Sequence, residues 1–492
     1  MRSYQNLALR YTRAALWVAL IAILALASCS TALDDSPSEP IRITVLYTND
    51  EHGWIASDSR RGGAAGMLTR WRVQEGYTVD GPFLVLSGGD LWTGPALSTW
   101  FDGEPTVDVM NEMGYDAVAI GNHEFDFGRD GLRLRSDQAE FAFLGANALD
   151  SESGKPIDEV LPFVVKEVEG VKVGIIGLAS RRTPRTTMPT HVAGIEFADY
   201  DRTLEHIVPQ VKAEGADVVL VIAHLCEDEM RSLVATAARL DIAMIGGGHC
   251  NDRVAEVVRG VALVEAAWQY AAYGRVDLTV DLATGDVRDV AVVLKDNPPG
   301  TADPDVAAIV DRWQTELDNE LMVTIGYTED GIKRGSYAMA NMVMDAWLAA
   351  YPADIAMSNP GGFRQGIDRG EITLADVVGV MPFDNTLVDV ALTGEQVIAS
   401  YLHGSRRPLI AGLEHEGAHY TVNGETLDPK ATYHVLVNDF MYAGGDGYAF
   451  ADYDPEAYMT GIDWRQPVID WITMLRTTRQ SPIESHLDIA PR

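Results

Sequence analysis

Five short apolar runs in the first half of this chain end in the same way, and that recurrence leaves few folds open. The run 41–47 leads into Asn49, Asp50, Glu51, His52 and Gly53, and 83–86 leads into Gly88, Gly89 and Asp90. The run 117–120 leads into Gly121, Asn122, His123, Glu124, Phe125 and Asp126. The run 218–222 leads into Ala223 and His224, and 242–245 into Gly246, Gly247, Gly248, His249, Cys250 and Asn251. Runs of this kind alternating with amphipathic stretches predict a layered α/β domain. In open α/β sheets ligands bind beyond the carboxyl ends of the strands, which is where these Asp, Asn and His side chains would gather.

The donor set narrows the chemistry. Carboxylate, amide and imidazole groups, with no cysteine pair at zinc-finger spacing, suit hard or borderline divalent ions in a catalytic role. There are enough donors for two ions, with Asp90 placed to bridge them. Such a pair clamps the attacking and leaving oxygens of a phosphoryl transfer and lowers the pKa of a bound water.

Taken in order, TNDEHG, SGGD, GNHEFD, AHL and GGGHCN resemble the blocks of the calcineurin-like metallophosphoesterases. Further on, NPGGFR, MPFDN and FMYAGGDGY are similar to the C-terminal substrate domain of the 5'-nucleotidase branch. The resemblance implies an N-terminal four-layer α/β/β/α domain over 41–297 and a nucleotide-binding domain over 322–485, where short strands and Gly-rich turns predict α+β structure; Val306, Ile309, Val310, Trp313 and Leu317 at helical spacing predict a linker helix within 298–321. It also implies two divalent ions drawn from Zn, Mn, Co or Mg. One ion would take Asp50, His52 and Asp90, with Asn251 as a further ligand, and the other Asp90, Asn122, His224 and His249. His123 would bond to the phosphate rather than to metal, oriented by Asp126. Asn359 and Arg364 would meet the substrate, Phe383 and Phe440 would sandwich a nucleobase, and Asp446 would accept from a ribose hydroxyl. Lys333 or Arg334 would add a positive contact. The expected reaction is hydrolysis of 5'-mononucleotides. UDP-sugars, 2',3'-cyclic nucleotides and carrier-bound thiosulfate are alternatives on the same scaffold, and a non-catalytic surface nucleotide-binding protein or adhesin is the alternative from another class.

Two departures from the family pattern concern the site. Its last block ends in Asn251 where a longer His or Gln is usual, so a water can stand between this amide and a metal. The segment before Asn341 lacks the usual acidic and Arg residues. Only 3 Cys occur. Cys226 and Cys250 follow His224 and His249 closely, and they read as two unlinked small apolar side chains, because a bridge requires Cα atoms within about 7 Å. A disulfide is the alternative.

Charge excludes one class of partner. With 38 Lys+Arg against 72 Asp+Glu, a net charge of -34, the chain offers no cationic stripe for a nucleic-acid polymer. The N-terminus carries Arg2, Arg10 and Arg13 before the apolar run 14–27, too short for a membrane span and shaped like a signal peptide over 1–28. Leu26-Ala27-Ser28-Cys29 resembles a lipobox, which implies lipidation at Cys29, a polar tether over 29–40, and an exported protein whose membrane contact is the lipid anchor.

Overall fold

The computed structural model describes residues 40–404 and 407–492, so the signal segment and Cys29 lie outside the described residues. No helix of the described residues is long and apolar enough to cross a membrane.

Twelve strands build two six-stranded sheets in the first domain. They are β1 (Ile41–Thr48), β2 (Phe83–Ser87), β3 (Ala117–Ala119), β4 (Ala142–Leu144), β5 (Phe163–Val168) and β6 (Val171–Leu178). They continue with β7 (Val218–Ala223), β8 (Ile242–Gly246), β9 (Arg253–Val258), β10 (Val261–Ala266), β11 (Ala272–Val280) and β12 (Val287–Asp296). One sheet runs β12-β11-β1-β2-β3-β4 and the other β9-β10-β8-β7-β6-β5. The strands that carry the site are parallel neighbours, β1 with β2 and β2 with β3, and β7 with β8. All six residues of β7, VVLVIA, are buried, the continuous β-branched pattern of a strand covered on both faces.

Face-to-face packing explains the burial. Val45, Leu84 and Ala117 of one sheet meet Ile175, Leu220 and Val264 of the other in a shared apolar layer. Outside the first sheet lie α1 (Gly63–Arg70), α2 (Glu104–Met113) and α3 (Gly128–Gln138), whose Met67, Met110 and Leu132 cover it. Outside the second lie α4 (Tyr200–Ala213) and α5 (Glu227–Arg239), through Leu204 and Leu233. The order helix, sheet, sheet, helix is the expected four-layer arrangement.

The linking helix α6 spans Pro304–Leu321, starts with Pro304 in its first turn, and is capped by the Asp303 carboxylate, which accepts from Asp305 and Val306 N–H. Its buried Val306, Leu317 and Leu321 join the first domain's apolar cluster, while the next two residues, Met322 and Val323, are 53% and 54% exposed.

The second domain centres on β13 (Ile355–Ser358), β14 (Thr386–Thr393), β15 (Leu409–Ala411), β16 (Thr432–Asn438) and β17 (Tyr458–Asp463), ordered β15-β13-β16-β14-β17. One face packs on α7 (Tyr337–Ala350) and α10 (Gln466–Leu475), through Val343, Trp347 and Ile472. The other face packs on Val397 and Tyr401 of α9 (Gly394–Tyr401). Between them in sequence, α8 (Leu374–Val380) reaches back to the first domain, where Val378 joins the cluster containing Ala96 and Leu97.

Candidate active site

The Asp, Asn and His groups named from the sequence project from strand ends into one space. Asp50, His52, Asp90 and His249 all have positive φ, between 46° and 76°, although none is glycine. Non-glycine residues rarely adopt this conformation, and it persists where surrounding bonds over-determine it. Those bonds are visible. Asn49 donates from Nδ2 to Asp50 Oδ2 (2.7 Å) and to Ala267 O (2.6 Å), and the His249 N–H donates to the Asp50 carboxylate (3.0 Å). The turn after β2 must approach the turn after β3 so closely that a Cβ on Gly121 would stand 2.2 Å from Asp90 Oδ1, which requires glycine there.

Asp90 is the centre of the arrangement. Its Oδ1 accepts from the His123 backbone N–H (2.9 Å), and its Oδ2 lies 3.0 Å from His224 Nε2, 3.9 Å from His52 Nε2 and 4.0 Å from His123 Nε2. His224 approaches Gly88 O with Nδ1 (2.9 Å), and its Nε2 is 3.1 Å from His249 Nδ1. Two groups of convergent donors result: His52, Asp90 and His123, and Asp90, His224 and His249. Asp50 borders the first, with Oδ1 3.8 Å from His52 Nε2.

The electrostatics divide the imidazoles into charged and neutral ones. Burial opposes ionisation of His224, yet the Asp90 and Asp50 carboxylates push its pKa up to about 10. Burial and the guanidinium of Arg364 hold His52 well below the usual imidazole range, which leaves it neutral with a lone pair to offer. For His123, burial again opposes the charged form, but Asp126 and Asp90 outweigh it and raise the pKa. Its Nδ1 is 2.6 Å from Asp126 Oδ2, and Thr187 donates to the other oxygen of that carboxylate (3.0 Å).

Divalent ions fit this donor set. Asn122 Oδ1 is buried without a hydrogen-bond partner among the described residues, while the same amide donates from Nδ2 to Thr186 O (3.1 Å). An unpaired buried oxygen is costly unless something electropositive meets it. The neighbouring lone pairs of His and Asp complete a nitrogen and oxygen shell of the kind such ions prefer. Asn251 stands exposed at the rim of the same cavity.

A cavity of about 980 Å³ extends from these groups to the second domain and is lined by Asn359, Arg364, Phe383, Phe440 and Asp446. Arg364 Nη2 reaches His52, 3.2 Å from Nε2 and 3.3 Å from Nδ1. Phe383 stacks on His123, with centroids 5.8 Å apart and planes 26° off parallel. Asn359 donates to Asp446 Oδ2 (3.0 Å) and accepts from Asn438 Nδ2 (3.0 Å), so its amide aligns the carboxylate. Phe440 is wedged against Gly445, where a Cβ would be 2.4 Å from the ring. Lys333 and Arg334 are both exposed and outside this lining; Arg334 instead donates to Phe363 O and lies 5.9 Å over the Trp268 ring of the first domain.

The profile of the family described as 5'-nucleotidase, C-terminal domain, matches residues 321–407 and 413–452. The chain is 26% identical to a 5'-nucleotidase of Vibrio cholerae, across 89% of this chain and 92% of that protein. Residues 321–452 thus carry a 5'-nucleotidase C-terminal domain, and the chain as a whole is similar to 5'-nucleotidases. It is also 28% identical to the trifunctional nucleotide phosphoesterase protein YfkN of Bacillus subtilis, over 85% of its own length and only 33% of that longer protein. The fold matches the crystal structure of a 5'-nucleotidase precursor from Thermus thermophilus with a TM-score of 0.75 at 24% identity, covering 89% of this chain and 97% of the other.

Three features of this site escape a reading of its motifs. Glu124, inside GNHEFD, is fully buried and accepts from the backbone N–H groups of Asp90 (3.0 Å), Leu91 (2.8 Å) and Gly121 (2.5 Å), so one carboxylate ties two site turns together. Its place inside a specified block was the available signal. Trp464 donates to Phe383 O (2.8 Å) and lies tilted beside that ring with centroids 6.4 Å apart, with no motif to mark it. Most directly against the sequence expectation, Cys226 and Cys250 are not separate apolar side chains but a disulfide, with Cα atoms 5.1 Å apart. Parallel pairing of β7 with β8 brings the two turns side by side, which spacing in the sequence does not reveal.

Proposed function

We propose that the protein is a metal-dependent nucleotide phosphohydrolase that converts 5'-mononucleotides to nucleoside and phosphate. The observation that carries this reading is Asp90 Oδ2 standing within 4.0 Å of three imidazoles, beside the unpaired Asn122 oxygen, in a cavity whose far wall offers Arg364, Phe383 and Phe440. Two divalent ions would be held by Asp50, His52 and Asp90, with Asn251 near the first, and by Asp90, Asn122, His224 and His249. Such ions supply Lewis acidity toward the phosphoryl oxygens and acidify water.

The remaining work falls to this chain's own groups. His123, with Nδ1 engaged by Asp126, presents Nε2 to the phosphate and gives a proton to the departing ribose oxygen. Arg364 binds phosphate oxygens through charge-assisted hydrogen bonds. Phe383 and Phe440 hold the base by stacking, a contact that tolerates many bases, and Asp446 accepts from a ribose hydroxyl. Export with a lipid anchor at Cys29 is part of the same proposal, supported by the sequence of the first 29 residues and by a disulfide of the kind that persists in oxidising compartments.

The test is phosphate release from AMP by purified protein with added Mn²⁺, Co²⁺ or Zn²⁺, before and after chelation. Metal-dependent release supports the reading. Binding of AMP without release under all three metals would replace it with a nucleotide-binding role. A panel with UDP-glucose and 2',3'-cyclic AMP ranks the substrates.

A further inference from the structure

The Cys226–Cys250 bridge lies where a covalent tie has the most leverage on the candidate metal centre. Cys226 follows His224 by two residues and Cys250 follows His249 by one, so the bond joins the two turns that present this histidine pair. Its two ends differ in firmness. Cys226 is 3% exposed and begins α5, where its own N–H donates to Glu229 Oε2 (3.3 Å) in a capping box. Cys250 is exposed, in a turn where His249 and Asn251 have φ of 76° and 61°.

Few other bonds hold that turn in its disfavoured conformation. Gly248 N–H donates to Leu225 O (2.9 Å) and Cys250 N–H to Gly248 O (2.9 Å). The His249 N–H depends on the Asp50 carboxylate, which is itself assigned to a cation. The bridge is therefore the covalent route by which a buried helix start restrains the His249 backbone.

We propose that the Cys226–Cys250 disulfide is a positioning element that fixes His249 against His224 and thereby pre-forms the second cation half-site. This rests on the reading that His224 and His249 hold a metal ion. Groups that orient metal ligands typically tune affinity by about 10- to 100-fold, and the bridge is expected to act within that range.

The experiment uses the metal-stripped chain titrated with cobalt(II) alone, read by bound cobalt per chain and by the visible absorption of the bound ion. Wild type is compared with Cys226→Ser/Cys250→Ser, and with Cys250→Ser alone in case the double exchange folds poorly. Thiol titration of unfolded wild type is expected to find Cys226 and Cys250 unreactive before reduction. The variants should keep their far-ultraviolet dichroism and one site of unchanged affinity, while the other site weakens about 10- to 100-fold with an altered spectrum. In a His249→Ala background, removing the bridge should cost little further affinity, since the two changes act through the same side chain. Equal affinity and spectrum in wild type and variants, with only a lower melting temperature, would overturn the proposal and leave a plain structural staple. Reactive thiols at Cys226 and Cys250 in the unreduced wild type would overturn it as well. A wild-type chain that takes up no cobalt would sink the functional reading first, and this proposal with it.

Discussion

Arg364 of the second domain sets its Nη2 3.2 Å from Nε2 of His52, whose position is fixed by the turn after β1 of the first. A guanidinium held against a neutral imidazole at this distance is what the proposed function needs, since Arg364 and a metal carried by His52 would then flank one phosphate. Arg364→Ala should raise KM for AMP and lower kcat/KM by about 10- to 100-fold, the worth of a charged hydrogen bond of about 1.5–3 kcal/mol. Bound metal should stay the same. Steady-state kinetics with elemental analysis checks this, and a variant that lost metal would assign Arg364 a different task.

Asp90 faces both donor groups, whereas His52 faces one. Asp90→Ala should therefore abolish uptake at both half-sites, and His52→Ala at one. Chelation of the wild type should also lower its melting temperature, since an ion present at 100 times its Kd contributes about 2.7 kcal/mol of stability. Calorimetric scans with and without chelator, alongside metal counts, decide the matter.

The link between His123 and Asp126 makes a prediction about pH. Burial lowers the His123 pKa and the Asp126 and Asp90 carboxylates raise it by more, so the ring keeps its proton to higher pH than a free imidazole. If protonated His123 serves the leaving oxygen, Asp126→Asn should shift the alkaline limb of the kcat profile to lower pH. His123→Asn should lower kcat by about 10²- to 10⁴-fold without loss of metal. An alkaline limb indifferent to Asp126 would remove His123 from the acid role.

Substrate recognition can be separated from chemistry with a truncated substrate. Phe383→Ala and Phe440→Ala should each weaken AMP by about 1–3 kcal/mol, the usual worth of a stacked base. Hydrolysis of ribose 5-phosphate, which has no base, should be nearly unaffected by Phe440→Ala. Phe383 also stacks on His123, so its exchange is expected to lower kcat for both substrates modestly.

Much of this was legible before any coordinates, for a physical reason. Ligand-bearing turns need glycine for close approach and short polar side chains for donors, and both leave a local mark, as at Gly121 and Asn122 in GNHEFD. What the sequence could not show is whatever depends on distant segments meeting. β11 closes onto β1 from more than two hundred positions away, with Ile41 opposite Val280. Glu124 looks like one acid among 72 until its three backbone partners are known. Cys226 and Cys250 read as unlinked in the sequence, with a bridge as the alternative, and are bridged in the fold because their proximity is a property of sheet order. The sequence offers Lys333 or Arg334 as a further positive contact, yet neither lines the cavity, and the Arg334 guanidinium lies over Trp268 across the domain boundary.

The linking helix has a mechanical consequence. Because Val306, Leu317 and Leu321 are sunk in the apolar interior of the first domain, α6 is a beam fixed to that body and does not itself swivel. Any swing that parts Arg364 from His52 must bend the backbone around Met322 and Val323, whose side chains are about half exposed, and shift α8, whose Val378 packs on the first domain. The covalent coupling between the two domains thus runs through a very short tether, and a stiffer one should slow any such swing.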